Sequence, residues 1–213
     1  MSSPTTPTGT SRRAQPLDRR HIERRELISR WLLPAVERLL EQETYGALTV
    51  EQMAAEAEIS RSTFYNYFED KGDLLRALVG DVMGASLDAS RVWWMLPPEA
   101  DKEELRVALR HLVEVYRPHA LLMRAVSESV SHDARVRDEY LDYMANGVAG
   151  IAGYVRSGQR AGVIRADLDP DAVGQWLTWG FERGLMQLSL RPEDQDPERV
   201  VTAMTDIVWK ALH

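Results

Sequence analysis

The chain has no cysteine. Disulfides and thiolate metal ligands are therefore excluded, and the composition fits a reducing compartment. It has no apolar run near the roughly 18 residues that a helix needs to cross a bilayer. Its first residues, Ser-Ser-Pro-Thr-Thr-Pro-Thr-Gly-Thr, are polar and Pro-rich and lack the apolar stretch of a secretory leader. These absences predict a cytoplasmic protein without a membrane span and a disordered basic and polar tail over residues 1–17. Runs of alternating β-branched residues and internal repeats are missing as well. There is no Gly-rich phosphate loop, nucleophile elbow or HExxH string. His111 with Glu114, and Glu128 with His132, stand at helical spacing. A metal site would need such pairs to converge with further ligands, and exposed polar faces are the simpler reading. No catalytic residue, metal or cofactor is expected.

What is present is enough for a folded core: 213 residues, 44% of them hydrophobic. The net charge is −7, which by itself argues against a nucleic-acid binder. The distribution says otherwise. Between residues 12 and 30 lie seven arginines (Arg12, Arg13, Arg19, Arg20, Arg24, Arg25 and Arg30) against three acids (Asp18, Glu23 and Glu26). A basic arm on an acidic protein is compatible with phosphate contact.

The remaining pattern is helical nearly throughout. Thr49 with Gln52 and Asp101 with Glu104 form capping boxes. Asp169-Pro170-Asp171 and Asp196-Pro197-Glu198 each place a cap, a first-turn proline and an early acid in order. The expected helices run from about Asp18 to Gln42, Val50 to Ala57, Arg61 to Tyr67, and Lys71 toward Trp93. Beyond Pro97-Pro98 they run near Lys102–Tyr116, Arg117–Val130, His132–Arg160, Pro170–Leu190 and Pro197–Leu212. Pro34 should kink or divide the first of these. Gly158 and Gly162 lie where the seventh should end.

Two helices of about eight residues joined by about four, Ala57 to Ser60, have the spacing of a helix-turn-helix. Phe64 and Phe68 share one face of the second helix, and with Met53 and Ile59 they make an apolar seam. The other face offers Arg61, Ser62, Thr63, Tyr65, Asn66 and Tyr67. Arginine pairs bidentately with guanine, asparagine with adenine, and a threonine methyl can touch thymine.

The string Ile59-Ser60-Arg61-Ser62-Thr63-Phe64-Tyr65-Asn66-Tyr67-Phe68-Glu69-Asp70-Lys71, with Leu74-Leu75 beyond it and Leu48-Thr49-Val50 and Met53-Ala54 before it, resembles the signature of TetR-type repressors. The resemblance implies an all-α protein. A three-helix, helix-turn-helix DNA-binding domain would span residues 18–70, and a helical ligand-binding and dimerisation domain residues 71–213. It implies that Thr49 meets a phosphate, that Arg61 and Thr63 lie nearest the bases, and that Tyr65 and Tyr67 contact phosphates or thymine methyls. Lys71 would hold a phosphate at the start of the next helix, and Ser60 belongs to the same surface. Two features depart from the family pattern. Glu58 stands where the turn usually carries glycine, which suggests a slightly different turn with a modest strain cost. Pro34 interrupts a helix that is normally unbroken, and it could instead start that helix behind an extra basic one.

Downstream of Gly80 the chain is rich in aromatics and methionine. Composition there fits either a packed core or an apolar pocket, with Trp94, Met123, Tyr143, Trp176 and Trp179 as candidate linings. Trp176-Leu177-Thr178-Trp179-Gly180-Phe181-Glu182-Arg183-Gly184-Leu185 resembles a branch of the family whose second domain holds an aromatic-lined tunnel. That likeness adds Thr178 and Phe181. The family likeness also implies a homodimer through helices 170–190 and 197–212. The resulting expectation is a regulator, most simply a repressor, of double-stranded operator DNA, released by a small, largely apolar effector. A ligand that binds better when the two recognition helices are wrongly spaced would shift the population away from the DNA-competent state, with the helix from Lys71 as lever. Two competing readings remain: a DNA-binding regulator controlled by a partner protein, and an all-helical enzyme or carrier for a lipophilic molecule.

Overall fold

The computed structural model describes residues 16–190 and 196–213. These residues form nine α-helices and one 3₁₀ turn, with no strand among them: α1 (Pro16–Leu40), α2 (Val50–Glu56), α3 (Arg61–Tyr67), α4 (Lys71–Trp94), α5 (Lys102–Tyr116), the turn Arg117–His119, α6 (Ala120–Ser129), α7 (Ala134–Ala161), α8 (Pro170–Ser189) and α9 (Pro197–Leu212). The fold is all-α. Most of the expected tail, including Arg12 and Arg13, lies outside the described residues.

The capping signals act as their chemistry requires. Thr49, Ser60, Asp70, Asp101, Asp133, Asp169 and Asp196 each accept a backbone N–H in the first turn of the following helix. The boxes at Thr49 with Gln52 and at Asp101 with Glu104 are both closed. Helix α1 runs unbroken through Pro34, so the proline neither divides it nor starts a new helix. Proline removes a bond to the carbonyl four residues back, here that of Arg30. Arg30 and Pro34 both lie on the exposed side, where water can serve that carbonyl. Leu32, Ala35, Val36 and Leu40 hold the other side in the core.

The core is one continuous cluster. Around the helix-turn-helix it contains Leu32, Val36, Leu40, Tyr45, Leu48, Met53, Phe64, Phe68, Leu74 and Leu78, with Ile59 packed at its edge. The Phe64 and Phe68 rings stand 5.4 Å apart. Helix α4 enters this cluster with its first two turns. It also packs on α5 and α7, so one continuous helix spans both regions. Glycines allow the closest packing between helices. A Cβ on Gly147 of α7 would lie 2.8 Å from Thr178 of α8, and one on Gly174 of α8 would lie 2.7 Å from the Val148 carbonyl. Ion pairs tie α5 to α9: Arg106 and Arg110 both grip Glu198, at 2.9 and 2.7 Å, and Lys102 meets Asp206 at 2.6 Å. None of the described helices is long and apolar enough to cross a membrane.

Candidate DNA interface and effector cavity

The turn between α2 and α3 is built backbone-first. The N–H of Ile59 reaches the carbonyl of Ala54 at 2.9 Å, and that of Glu58 reaches Ala55 at 3.1 Å. This pair of bonds is a Schellman motif, which needs a left-handed residue just past the helix. Glu58 supplies it, with φ of 56°, the one positive-φ non-glycine among the described residues. The turn expected to differ is therefore the same turn that glycine would make, held by a residue that prefers not to make it. The same pair of bonds closes α7, where Gly162 takes the left-handed position at φ of 76°.

Next, Ser60 caps α3. Its hydroxyl accepts the Thr63 N–H at 3.0 Å and lies 2.7 Å from the Ser62 hydroxyl and 2.8 Å from that of Thr63. This chain of hydroxyls fixes the orientation of the first turn. Thr49, Ser60, Arg61, Ser62, Tyr65 and Asn66 are exposed, and Thr63 is half-buried. Arg61 rests on Glu51 of α2 at 2.8 Å, in an exposed pair. Such pairs contribute little net energy, so the guanidinium can exchange that carboxylate for another acceptor.

Two candidate residues sit differently. Tyr67 is half-buried, stacked on His21 of α1 at 5.4 Å, and its carbonyl accepts a bond from Arg25. Lys71 turns inward. Its ammonium donates to the carbonyls of Tyr45, Gly46 and Leu48 at 3.4, 2.5 and 3.0 Å. All three of its hydrogens close the loop before α2, so here Lys71 braces the motif from within. The Tyr45 hydroxyl returns a bond to the Lys71 carbonyl, and burial pushes its pKa up.

Arg25 is also committed internally. Its Nη2 meets Asp73 at 2.7 Å while its guanidinium lies over the Phe68 ring. Asp73 in turn holds Arg76 at 2.7 Å and the Glu69 N–H at 3.1 Å. This buried carboxylate locks α1, the end of α3 and the start of α4 together. A basic residue within an arginine-rich arm gives no sequence signal for such a partner 48 residues away. Arg19, Arg20, Arg24 and Arg30 remain exposed.

At the far end of α4 the helices enclose a cavity of about 40 Å³. It is lined by Trp94, Tyr143, Thr178 and Phe181, as the sequence suggests, together with Trp93, Tyr116, Glu182, Met144, Ile151 and Leu185. Three other candidates lie elsewhere. Met123 is buried in the core of α6. Trp179 is 44% exposed and meets Tyr140 edge-on at 6.0 Å. Trp176 is 80% exposed. Residues 178, 181–182 and 185 share one face of α8, so an inward Thr178 turns Trp176 outward. That periodicity also points to Glu182 as a polar residue on the inner face, which sequence reading left unassigned.

The cavity wall is unusually polar for an aromatic pocket. Trp93 Nε1, Trp94 Nε1, the Tyr116 hydroxyl, Thr178 Oγ1 and Glu182 Oε1 are buried without a hydrogen-bond partner in the chain. Burial pushes the Glu182 carboxyl above the ordinary carboxylate range, opposed in part by the Tyr140 hydroxyl and Arg183. Burial together with the Glu182 charge raises Tyr143 to about 12.

Outside the cavity, α8 and α9 flank an apolar groove of about 310 Å³, lined by Trp176, Leu177, Gly180, Phe181, Leu188, Val200, Met204 and Ile207 among others. Phe181 and Leu185 line the cavity and the groove alike, and so form the wall between them.

An all-helical chain that opens on a helix-turn-helix and continues into a larger helical body has the architecture of a DNA-binding transcriptional regulator. Residues 32–78 match the family described as bacterial regulatory proteins, tetR family. The chain is 24% identical over 179 residues to the HTH-type transcriptional regulator EthR of Mycobacterium tuberculosis (strain H37Rv), covering 84% of this chain and 83% of that one. The fold recurs in a transcriptional regulator from Saccharomonospora viridis in complex with choline. That match has a TM-score of 0.69 and 23% identity, covering 87% of this chain and 97% of the other. It recurs too in the regulator FadR from Bacillus subtilis in complex with stearoyl-CoA, with a TM-score of 0.68 and 16% identity, covering 86% and 98%.

Proposed function

We propose that this chain is a cytoplasmic, homodimeric repressor that leaves its operator when a small effector enters the cavity at the end of α4. In this reading residues 18–70 bind DNA, and residues 71–213 bind the effector and the second subunit. The observation that carries it is the course of α4. Its first turn is locked to the helix-turn-helix through Asp73, Arg25 and the Lys71 loop, and its last turn places Trp93 and Trp94 in the cavity wall. A ligand that displaces either indole tilts the helix, and the recognition helix moves with it.

Operator binding needs two such helices about one DNA turn apart, roughly 34–36 Å. The exposed apolar face of α8 and α9, with Trp176 and Ile207 at 80% and 61% exposure, supplies the surface that pairs the subunits. On the DNA side, Arg61, Thr63, Tyr65 and Asn66 approach the bases. Thr49, Ser60, Ser62, Tyr67 and the exposed arginines of α1 approach phosphates. Lys71 serves by holding the loop that presents Thr49.

The narrowness of the cavity favours a second reading, in which the helical body takes no small molecule and answers to a partner protein. The five unpartnered polar atoms in its wall weigh against a site built only to be filled by packing.

The test has two stages. Fluorescence anisotropy with duplexes from the DNA upstream of its own gene should show one duplex bound far more tightly than random sequence, with steep salt dependence. Small molecules that raise the melting temperature should then weaken that binding. Ligands that stabilise the protein and leave operator affinity unchanged would sink the effector reading.

A further inference from the structure

We propose that the cavity selects a monocationic ligand, a quaternary or protonated amine with an apolar body, and that Glu182 is its counter-ion. This rests on the effector reading above and narrows it, since a largely apolar molecule alone would leave Glu182 unanswered. Glu182 is 7% exposed and its Oε1 has no partner. No lysine, arginine or histidine lines the cavity, and among the described residues no ion pair reaches Glu182. The Tyr140 hydroxyl and the exposed Arg183 offset the burial only in part, so a buried carboxylate with one oxygen unpartnered and no ion pair remains costly, and a ligand cation is the group that removes the cost. The surroundings suit one. Trp93, Trp94, Tyr116, Tyr143 and Phe181 put five aromatic rings around the space, and ring faces attract desolvated cations. An anionic ligand would find the same carboxylate and no positive charge.

The unpartnered indole N–H groups of Trp93 and Trp94 and the Tyr116 hydroxyl ask in addition for an acceptor oxygen on the same molecule. At about 40 Å³ the space holds a water or two. The ligand therefore has to displace a wall residue, and Phe181 can yield toward the groove that it also lines.

Acetylcholine and its neutral carbon isostere 3,3-dimethylbutyl acetate differ only in the charged centre. Titrated against the full chain by tryptophan fluorescence, acetylcholine should bind at least about tenfold more tightly. Glu182→Gln should abolish that preference while leaving binding of the isostere in place. Equal affinity for the two, preference for hexanoate, or no binding of acetylcholine would overturn the proposal. Should Glu182→Gln fail to fold, the comparison on the unaltered chain still decides. Operator release is read separately. Selective binding of acetylcholine without release of DNA upholds the cation site and sinks the effector reading. A neutral molecule that alone binds and releases DNA does the reverse.

Discussion

Glu58 carries the clearest local strain in the molecule. A side chain in the left-handed region costs roughly 1–2 kcal/mol, and glycine there returns part of this as chain entropy. Glu58→Gly should therefore raise stability by roughly 0.5–1 kcal/mol, read as a higher urea midpoint at unchanged slope. It also removes a carboxylate beside the DNA-facing helix, so affinity for random DNA should rise. A lower midpoint would mean that the carboxylate contributes something the backbone does not show. In the proposed interface, Arg61 is the residue expected to read base sequence. Arg61→Ala should cost roughly 1–3 kcal/mol on the operator and relax preference at one position. Equal loss on operator and random duplex in a gel shift would make Arg61 a phosphate contact instead.

At the scale of helices, contact is decided by what lies between them. A Cβ on Gly150 of α7 would stand 2.3 Å from the Trp94 ring, whereas Gly153, one turn on, faces open space. Gly150→Ala should destabilise by roughly 1–3 kcal/mol and shift tryptophan emission, because the indole must move. Gly153→Ala should stabilise by up to about 1 kcal/mol through helix propensity alone. Matching signs in calorimetry would refute the packing argument.

The clamp between α5 and α9 gives a pH signature. The bonds from Arg110 and Arg106 lower the Glu198 carboxyl from 4.5 to about 2. A lowered carboxylate pKa adds stability above the unfolded value and loses it as pH falls through the folded one. Glu198→Gln should thus lower the melting temperature at neutral pH. The deficit should shrink between pH 4.5 and about 2 and vanish below. A deficit that persists in acid would assign the effect to the helix end rather than to the ion pairs.

For the whole molecule, the question is how a cavity reaches DNA. In the proposed mechanism helix α4 gives one route, and the wall formed by Phe181 and Leu185 gives another, toward the groove between α8 and α9. An effector that moves Phe181 changes the surface proposed to pair subunits, and with it the spacing of their recognition helices. Trp176→Asp combined with Ile207→Asp places two charges on that face. The variant should elute as a monomer by light scattering, keep its helical circular dichroism and lose operator binding. A persistent dimer would move the interface elsewhere.

Much of this protein was legible in the order of its residues. Helix identity follows from 3.6-residue periodicity and from caps whose chemistry is local: an Asp or Ser side chain reaches an N–H two or three residues on and needs no tertiary partner. The helix-turn-helix is local in the same sense, since its seam of Met53, Ile59, Phe64 and Phe68 lies within 16 residues. What only the tertiary structure decided is the fate of individual polar groups. Lys71 and Arg25 look like surface cations in the sequence, yet long-range partners, the carbonyls near Gly46 and the Asp73 carboxylate, draw them inward. Helical phase on α8 follows from sequence, but which phase faces inward is set by packing on α7, where Gly147 leaves room for Thr178 and Gly174 for the Val148 carbonyl. That choice turned Trp176 out and buried Glu182 beside five aromatic rings with its Oε1 unpartnered, while Met123 sits in the core away from the cavity.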